Sequence, residues 1–213
     1  MEHGILIIID GPSASGKDSI IEQVLKDLKN LGIKSISIEE TKEENYDRKK
    51  ILEAKQHGDK EVAEAIISER KRIYETKIIP QLFTGNVVIT NRGEPTTLTY
   101  QTIKNELSME GVWNMHRQNN IPLPDLVVIT NCSVKEAIKR EQSRNSPEDK
   151  DKKFMSGKFT TDNRQPIHDN YKKVKTFLEQ KRINVIYLDT DTMTIPEESQ
   201  RIVGFIEKTT KKN

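Results

Sequence analysis

A single α/β domain on a five-stranded parallel sheet is what the sequence predicts, and three observations predict it. Five short apolar, β-branched runs occur, at residues 5–9, 33–38, 87–90, 126–130 and 185–188. Helix-length segments separate them, as the crossovers of a parallel sheet require, so helices should flank the sheet. The chain has 213 residues, enough for one such domain with a substantial core, and no internal repeat or low-complexity linker divides it.

The elements follow in order. After the first apolar run comes a helix from Gly16 to Leu31, with Gly32 just past its end as a C-cap. A long helix should run from about Lys60 to Phe83, and Pro80 predicts a kink or stop near its end. Further helices are expected near Thr96, from Val134 to about Arg144, after Pro166 and after Pro196, the last with proline in its first turn. The stretch 140–166, "REQSRNSPEDKDKKFMSGKFTTDNRQP", is almost devoid of aliphatic residues. On composition alone it reads equally as a solvated loop or as a lid, since loops this long inside a compact domain are uncommon and often functional.

Composition excludes several classes of function. There are 35 basic and 33 acidic residues, a net charge of +2, so no overall field draws the chain to nucleic acid or to a membrane surface. Hydrophobic residues make up 33% and charged residues 32%. The mean hydropathy is −0.72, which fits long exposed helices and a polar loop. The basic end, Lys208 to Lys212, reads as a frayed terminus. One cysteine, Cys132, rules out a disulfide framework and a cysteine zinc site and fits a reducing compartment. Met1-Glu2-His3 has no basic cluster, and the apolar run after it is too short for a signal peptide or a membrane span. A cytoplasmic protein is expected.

The opening stretch "ILIIIDGPSASGKDSIIEQVLKDL" carries the chemistry. Gly11 and Gly16 bracket Pro12, Ser13, Ala14 and Ser15, and Lys17 follows. A glycine-rich loop that opens a helix aims backbone N–H groups and the positive end of the helix dipole at one point, which suits phosphate. The lysine then reaches the terminal phosphates as a point charge. The spacing G-x-x-x-x-G-K alone arises by chance in roughly 5–10% of chains this long. Here it follows an apolar strand and opens a helix, which is the context a P-loop requires. The position after the lysine, normally Ser or Thr with its hydroxyl on Mg²⁺, is Asp18. A carboxylate is also a hard oxygen ligand for Mg²⁺. The competing reading of Asp18 is a first-turn residue that complements the helix dipole. Ser19 cannot easily take its place, because one residue further turns the side chain about 100° around the helix.

Beyond the P-loop the chain resembles the thymidylate kinase family of nucleoside monophosphate kinases over nearly its whole length. The segment "ISERKRIYETKIIPQLFTGNVVITNRGEPTTLTYQ" looks like the family's central block, with Arg70, Pro80, Arg92 and Gln101 at the family's spacing. "PDLVVITNCSVKEAIKR" resembles the fourth strand and the following helix, and "IHDNYKKV" the helix after the lid. The resemblance implies a P-loop NTPase fold with a lid segment at 140–166. It also implies transfer of the ATP γ-phosphate to a nucleotide 5′-monophosphate, dTMP first, with Mg²⁺. It places Arg92 and Arg70 on the acceptor phosphate and Gln101 on the acceptor base. It puts Arg140 and Arg144 on the donor phosphates, followed by Lys150, Lys152, Lys153 and Lys158, and it implies a homodimer.

Four departures lie on the acceptor or metal side. The second strand ends in "IEETKE" without the usual Arg-Glu-Pro-Gly, where Glu40 is the candidate acidic residue. Asn91 replaces an aspartate, Ile66 stands at the position of the base-stacking phenylalanine, and Asp18 replaces the P-loop hydroxyl. They leave open a different nucleotide or small phosphorylated acceptor, and a nucleotide-binding homologue without catalysis. A P-loop regulatory or motor protein is the weakest reading, for want of an Asp-containing Walker B strand and of an extra domain.

Overall fold

The computed structural model describes residues 4–143 and 164–210. Its five strands are β1 (Ile5–Asp10), β2 (Ser35–Glu39), β3 (Val87–Asn91), β4 (Leu126–Asn131) and β5 (Val185–Asp189). They form one sheet in the order β2-β3-β1-β4-β5, and every neighbouring pair is parallel. The predicted strands are all present, with β2 beginning at Ser35 instead of residue 33.

Strand β1 is central and buried along its whole length, and its residues divide between the two faces with period two. Ile5, Ile7 and Ile9 join Ile20, Val24 and Leu28 of helix α1 (Lys17–Asn30) and Ile202 and Ile206 of the C-terminal helix, Ile195–Thr210. Leu6 and Ile8 face the other side, among Ile67, Ile73, Tyr74, Leu98, Val112 and Tyr171. The chain moves to β2 on one side of β1 and later to β4 on the other. A crevice therefore opens at the carboxyl ends of the strands beside β1, where ligands of such sheets bind.

The remaining helices are α2 (Arg48–Ala54), α3 (Asp59–Ile73), α4 (Ile79–Phe83), α5 (Glu94–Tyr100), α6 (Met109–Gln118), α7 (Val134–Ser143) and α8 (Arg164–Gln180), with Ile195–Thr210 as α9. The long helix expected across 60–83 is interrupted just before Pro80, near where the kink or stop was expected. A π-helical segment, Tyr74–Ile78, joins α3 to α4, and Pro80, which has no N–H to bond one turn back, follows it in the first turn of α4. The wider turn lets Ile73, Tyr74 and Ile78 all face the sheet. Helices α2 and α6 were not anticipated. Each is announced by a polar cap: the Asp47 carboxylate accepts from the Lys50 N–H at 2.9 Å, and the Ser108 hydroxyl from the Gly111 N–H at 3.0 Å. Among the described residues no helix is long and apolar enough to cross a membrane.

Candidate active site

The loop between β1 and α1 has the conformation its glycines were expected to permit. Gly11 has φ of 150° and Gly16 of 90°. A Cβ on Gly11 would lie 2.2 Å from the Thr130 carbonyl oxygen, so only glycine lets the loop cross the end of β4. Ala14 also has positive φ, 62°. The Ser15 hydroxyl is buried at 2.6 Å from that of Thr130, which locks the loop to β4. Lys17 is buried and folds back over the loop, its Nζ donating to the carbonyls of Gly11 at 2.9 Å and Pro12 at 2.8 Å. Pro12 is buried, and Ser13 and Ser19 are exposed.

Asp10 was overlooked in the sequence and anchors the site. It ends β1 just before the glycine and is fully buried. Its carboxylate accepts from the backbone N–H groups of Gly11, Gly93 and Thr96 at 2.7, 3.1 and 2.8 Å, and from the hydroxyls of Thr96 at 2.8 Å and Tyr171 at 2.9 Å. It thereby ties the P-loop to the segment after β3 and the start of α5. The available signal was a carboxylate ending an otherwise apolar strand, which must find donors when buried.

Asp18 is exposed at the start of α1. Its Oδ1 accepts from the Asn91 amide at 2.8 Å, and the same amide reaches Glu39 Oε2 at 3.3 Å. Asn91 and Glu39 are register neighbours at the ends of β3 and β2. Two of the departures from the family pattern, Asp18 and Asn91, are therefore in contact with each other. The Lys42 ammonium pairs with Glu39 at 2.9 Å, and Glu39 and then Asp18 raise its pKa against the opposing effect of burial.

Arg92 follows Asn91 and is half-buried with φ of 75°, a left-handed conformation that costs energy for a non-glycine residue and recurs at functional sites. Its guanidinium bonds to the Tyr100 hydroxyl. Burial works to lower its pKa, but Tyr100, Tyr171, Asp10 and Glu39 together hold it above the ordinary arginine value.

Arg70 is placed differently. It is 2% exposed, on α3. Nε and Nη2 grip both oxygens of Glu40, at 2.7 and 3.0 Å, and Nη1 reaches the Thr97 hydroxyl at 2.9 Å and His116 Nε2 at 2.7 Å. Glu40 is buried in a 3₁₀ turn just after β2. Burial and then Arg70 push the His116 pKa down to about 2, so the ring is neutral. Its Nδ1 lies 2.9 Å from the Val112 carbonyl, which can only accept, so Nδ1 carries the proton and Nε2 accepts from Arg70. Beside it, burial raises the pKa of Glu94 to about 7 against the lowering effect of Arg117, which donates to Glu94 Oε2 at 2.8 Å, and of Arg70.

Gln101 caps α5 and is buried, its Oε1 without a hydrogen-bond partner. Ile66 is partly buried on α3, against Ile51, Val62 and Ala65. Arg140 on α7 donates to the Thr190 hydroxyl and carbonyl, both at 2.8 Å, and to Glu136 at 3.1 Å. Its Nη1 lies 4.0 Å from where a Cβ on Gly16 would stand, which puts it beside the P-loop. Arg144, Lys150, Lys152, Lys153 and Lys158 lie outside the described residues. Arg164 pairs with Glu141, so α8 begins where α7 ends.

A glycine-rich loop at the central strand, with Arg92 after the neighbouring strand and Arg140 beside Gly16, fits the ATP-dependent phosphotransferases of the nucleoside monophosphate kinase class. The thymidylate kinase family profile matches residues 9–188, and the chain belongs to that family. It is similar to thymidylate kinases from Brachyspira hyodysenteriae, at 31% identity over 64% of this chain and 68% of the relative, and from Rickettsia bellii, at 27% identity over 97% and 98%. A third, from Leptospira borgpetersenii, is 25% identical over 68% of this chain and 71% of its own.

Proposed function

We propose that the chain transfers the ATP γ-phosphate to dTMP. The observation that carries this reading is the side-by-side placement of the P-loop and Arg92 at the ends of neighbouring strands, with Ile9 and Asn91 in register. Lys17 would leave the loop carbonyls for the terminal phosphates, and Arg92 would hold the acceptor phosphate. Arg70 and Gln101 would serve the acceptor side, and Arg140 the donor side. Catalysis then rests on positioning and charge neutralisation.

The donor set fits magnesium. Among the described residues no three His, Cys, Asp or Glu side chains converge tightly enough to hold a metal alone. Magnesium in such enzymes uses one or two carboxylates together with substrate phosphates and water. Asp18 would be the protein ligand, direct or through water, and the ion would neutralise phosphate charge when bound. The contact between Asp18 and Asn91 at the strand ends supports this over the helix-dipole reading. Composition and family together support a lid at 140–166 and a cytoplasmic homodimer, the latter testable by sedimentation equilibrium.

An ADP-release assay across the natural nucleoside monophosphates tests the acceptor. Turnover highest with dTMP is the expected result. A different nucleotide or small phosphorylated acceptor is the second reading, favoured by Ile66 in place of an aromatic stacker, and a clear preference for another monophosphate would establish it.

A further inference from the structure

Arg70 is held so completely that the geometry of its partners decides what it can offer a ligand. A guanidinium carries five N–H donors in one plane. Nε gives one to Glu40 Oε1, Nη2 one to Glu40 Oε2, and Nη1 one each to Thr97 and His116. These contacts use four and leave one, on Nη2. Because the group is planar, fixing four donors fixes the direction of the fifth. The four come from three elements besides α3 itself: Glu40 after β2, Thr97 on α5 and His116 on α6. Of these partners, His116 alone is an uncharged ring nitrogen that can accept only in one tautomer, and Val112 enforces that tautomer.

We propose that His116 is a positioning residue for the acceptor site, acting through Arg70. It holds Nη1 so that the remaining N–H of Nη2 faces the bound nucleotide. This rests on the reading of Arg70 as an acceptor-side residue. Without the His116 lone pair, one buried N–H of Nη1 loses its partner, and the guanidinium gains by rotating to recover one, which turns the fifth donor away. The role is separate from simple core packing, because it depends on an acceptor atom at the Nε2 position and not on volume.

Three substitutions separate the two. The amide oxygen of His116→Gln can stand where Nε2 stands. The shorter His116→Asn reaches only the Nδ1 position, where its amide still donates to the Val112 carbonyl but cannot touch Arg70. His116→Leu fills the space with no polar atom. Steady-state kinetics with dTMP and with ATP, each varied alone, give the readout, and thermal denaturation reports the fold. The expected result is a dTMP KM raised about 5- to 100-fold in His116→Asn and His116→Leu. The change in kcat should be much smaller, the ATP KM should stay within about twofold, and His116→Gln should restore the dTMP KM to within about threefold of wild type. An unchanged dTMP KM in a folded His116→Asn, an equal rise for ATP, or a Gln variant no better than Asn overturns the proposal. So does loss of fold in Asn and Leu while Gln is wild type, which would make His116 a core residue only. Arg70→Ala run alongside isolates the underlying reading. If it leaves the dTMP KM unchanged, Arg70 does not serve the acceptor, and the proposal falls with it.

Discussion

The two sides of the crevice are built from different materials. The side proposed for the donor is backbone. Gly11 and Gly16 let the chain pass close to β4, the Ser15 and Thr130 hydroxyls pin it, and carbonyls of the loop receive Lys17. The side proposed for the acceptor is a network of buried side chains. Glu40, Arg70, Thr97, His116, Glu94 and Arg117 come from four separate elements and contact one another largely away from water. A backbone cradle tolerates change in its side chains but not in its glycines. A buried ionic network behaves in the opposite way, since removing one member strands the charge or donor of the next. Substitutions on the donor side should therefore strike function with the fold intact, and those on the acceptor side should register in substrate affinity and in stability together.

The sharpest test of the donor half is Lys17→Ala. In the structure the ammonium donates to the loop carbonyls of Gly11 and Pro12 and joins none of the apolar core clusters. We expect turnover to fall by about 10²- to 10³-fold, in the range seen for loss of a donor that stabilises transition-state charge, with a thermal midpoint close to wild type. Turnover with ATP unchanged in that variant would break the P-loop assignment.

Arg92→Ala probes the boundary between the halves. Loss of one charge-assisted phosphate contact is worth about 1.5–3 kcal/mol, or roughly 10- to 150-fold in acceptor KM, with lower turnover and little change in ATP affinity. Equal damage to ATP binding would move Arg92 to the donor side.

This division also explains what could be read in the sequence. The strands were visible because a buried central strand such as residues 5–9 can only be apolar, and the P-loop because its geometry demands glycine at fixed spacing. Helix α6 was missed because Trp113, Val112 and His116 alternate with polar residues over only ten positions, Met109–Gln118, too few for a firm period. The acceptor network was invisible for a different reason. Arg70 meets Thr97, Glu40 and His116 across 27, 30 and 46 residues of sequence. Only the folded sheet brings them together. Asp18 and Asn91 looked like two separate departures from the family, and their contact across 73 residues makes them one.

Buried charge on the acceptor side should also make stability depend on pH. Burial holds Glu94 at about 7 instead of the usual 4.5, against Arg117 and Arg70. Between those values the folded chain keeps a proton that the unfolded chain has released. The resulting stabilisation is complete below about 4.5 and is lost as pH rises through 7. His116, held near 2, works in the opposite sense, because the unfolded chain gains a proton as pH falls below about 6.5. Glu94→Gln removes the first contribution and keeps the second. Chemical denaturation should then show the variant gaining on wild type by up to about 1.4 kcal/mol per pH unit, or about 3 kcal/mol across the window. A constant difference from pH 5 to 7 would show that Glu94 stays ionised on Arg117.

The smallest expected effect is the most specific. Asp18 puts a full negative charge in the first turn of the P-loop helix, where a hydroxyl is usual. Two unit charges about 5 Å apart, at an effective dielectric near 20, repel by roughly 3 kcal/mol, and solvent at this exposed position should reduce that to about 1–2. Without a cation between them, Asp18 and the ATP phosphates should therefore disfavour each other by about 5- to 30-fold in affinity. Titration of ATP in the presence of a chelator should show wild type binding that much more weakly than Asp18→Ser. With Mg²⁺ the two should converge, because a hydroxyl also serves at this position. Asn91 extends the test. Its amide now donates to Asp18 and Glu39, and Asn91→Asp would replace that donor with a third carboxylate. The single change should weaken ATP binding, and Asp18→Ser in the same chain should restore it by removing the carboxylate that Asn91 contacts. If the two substitutions instead act independently, and wild type and Asp18→Ser bind metal-free ATP equally, Asp18 does not face the phosphates. Its charge then serves the α1 dipole, and the contact with Asn91 is a tether between α1 and β3.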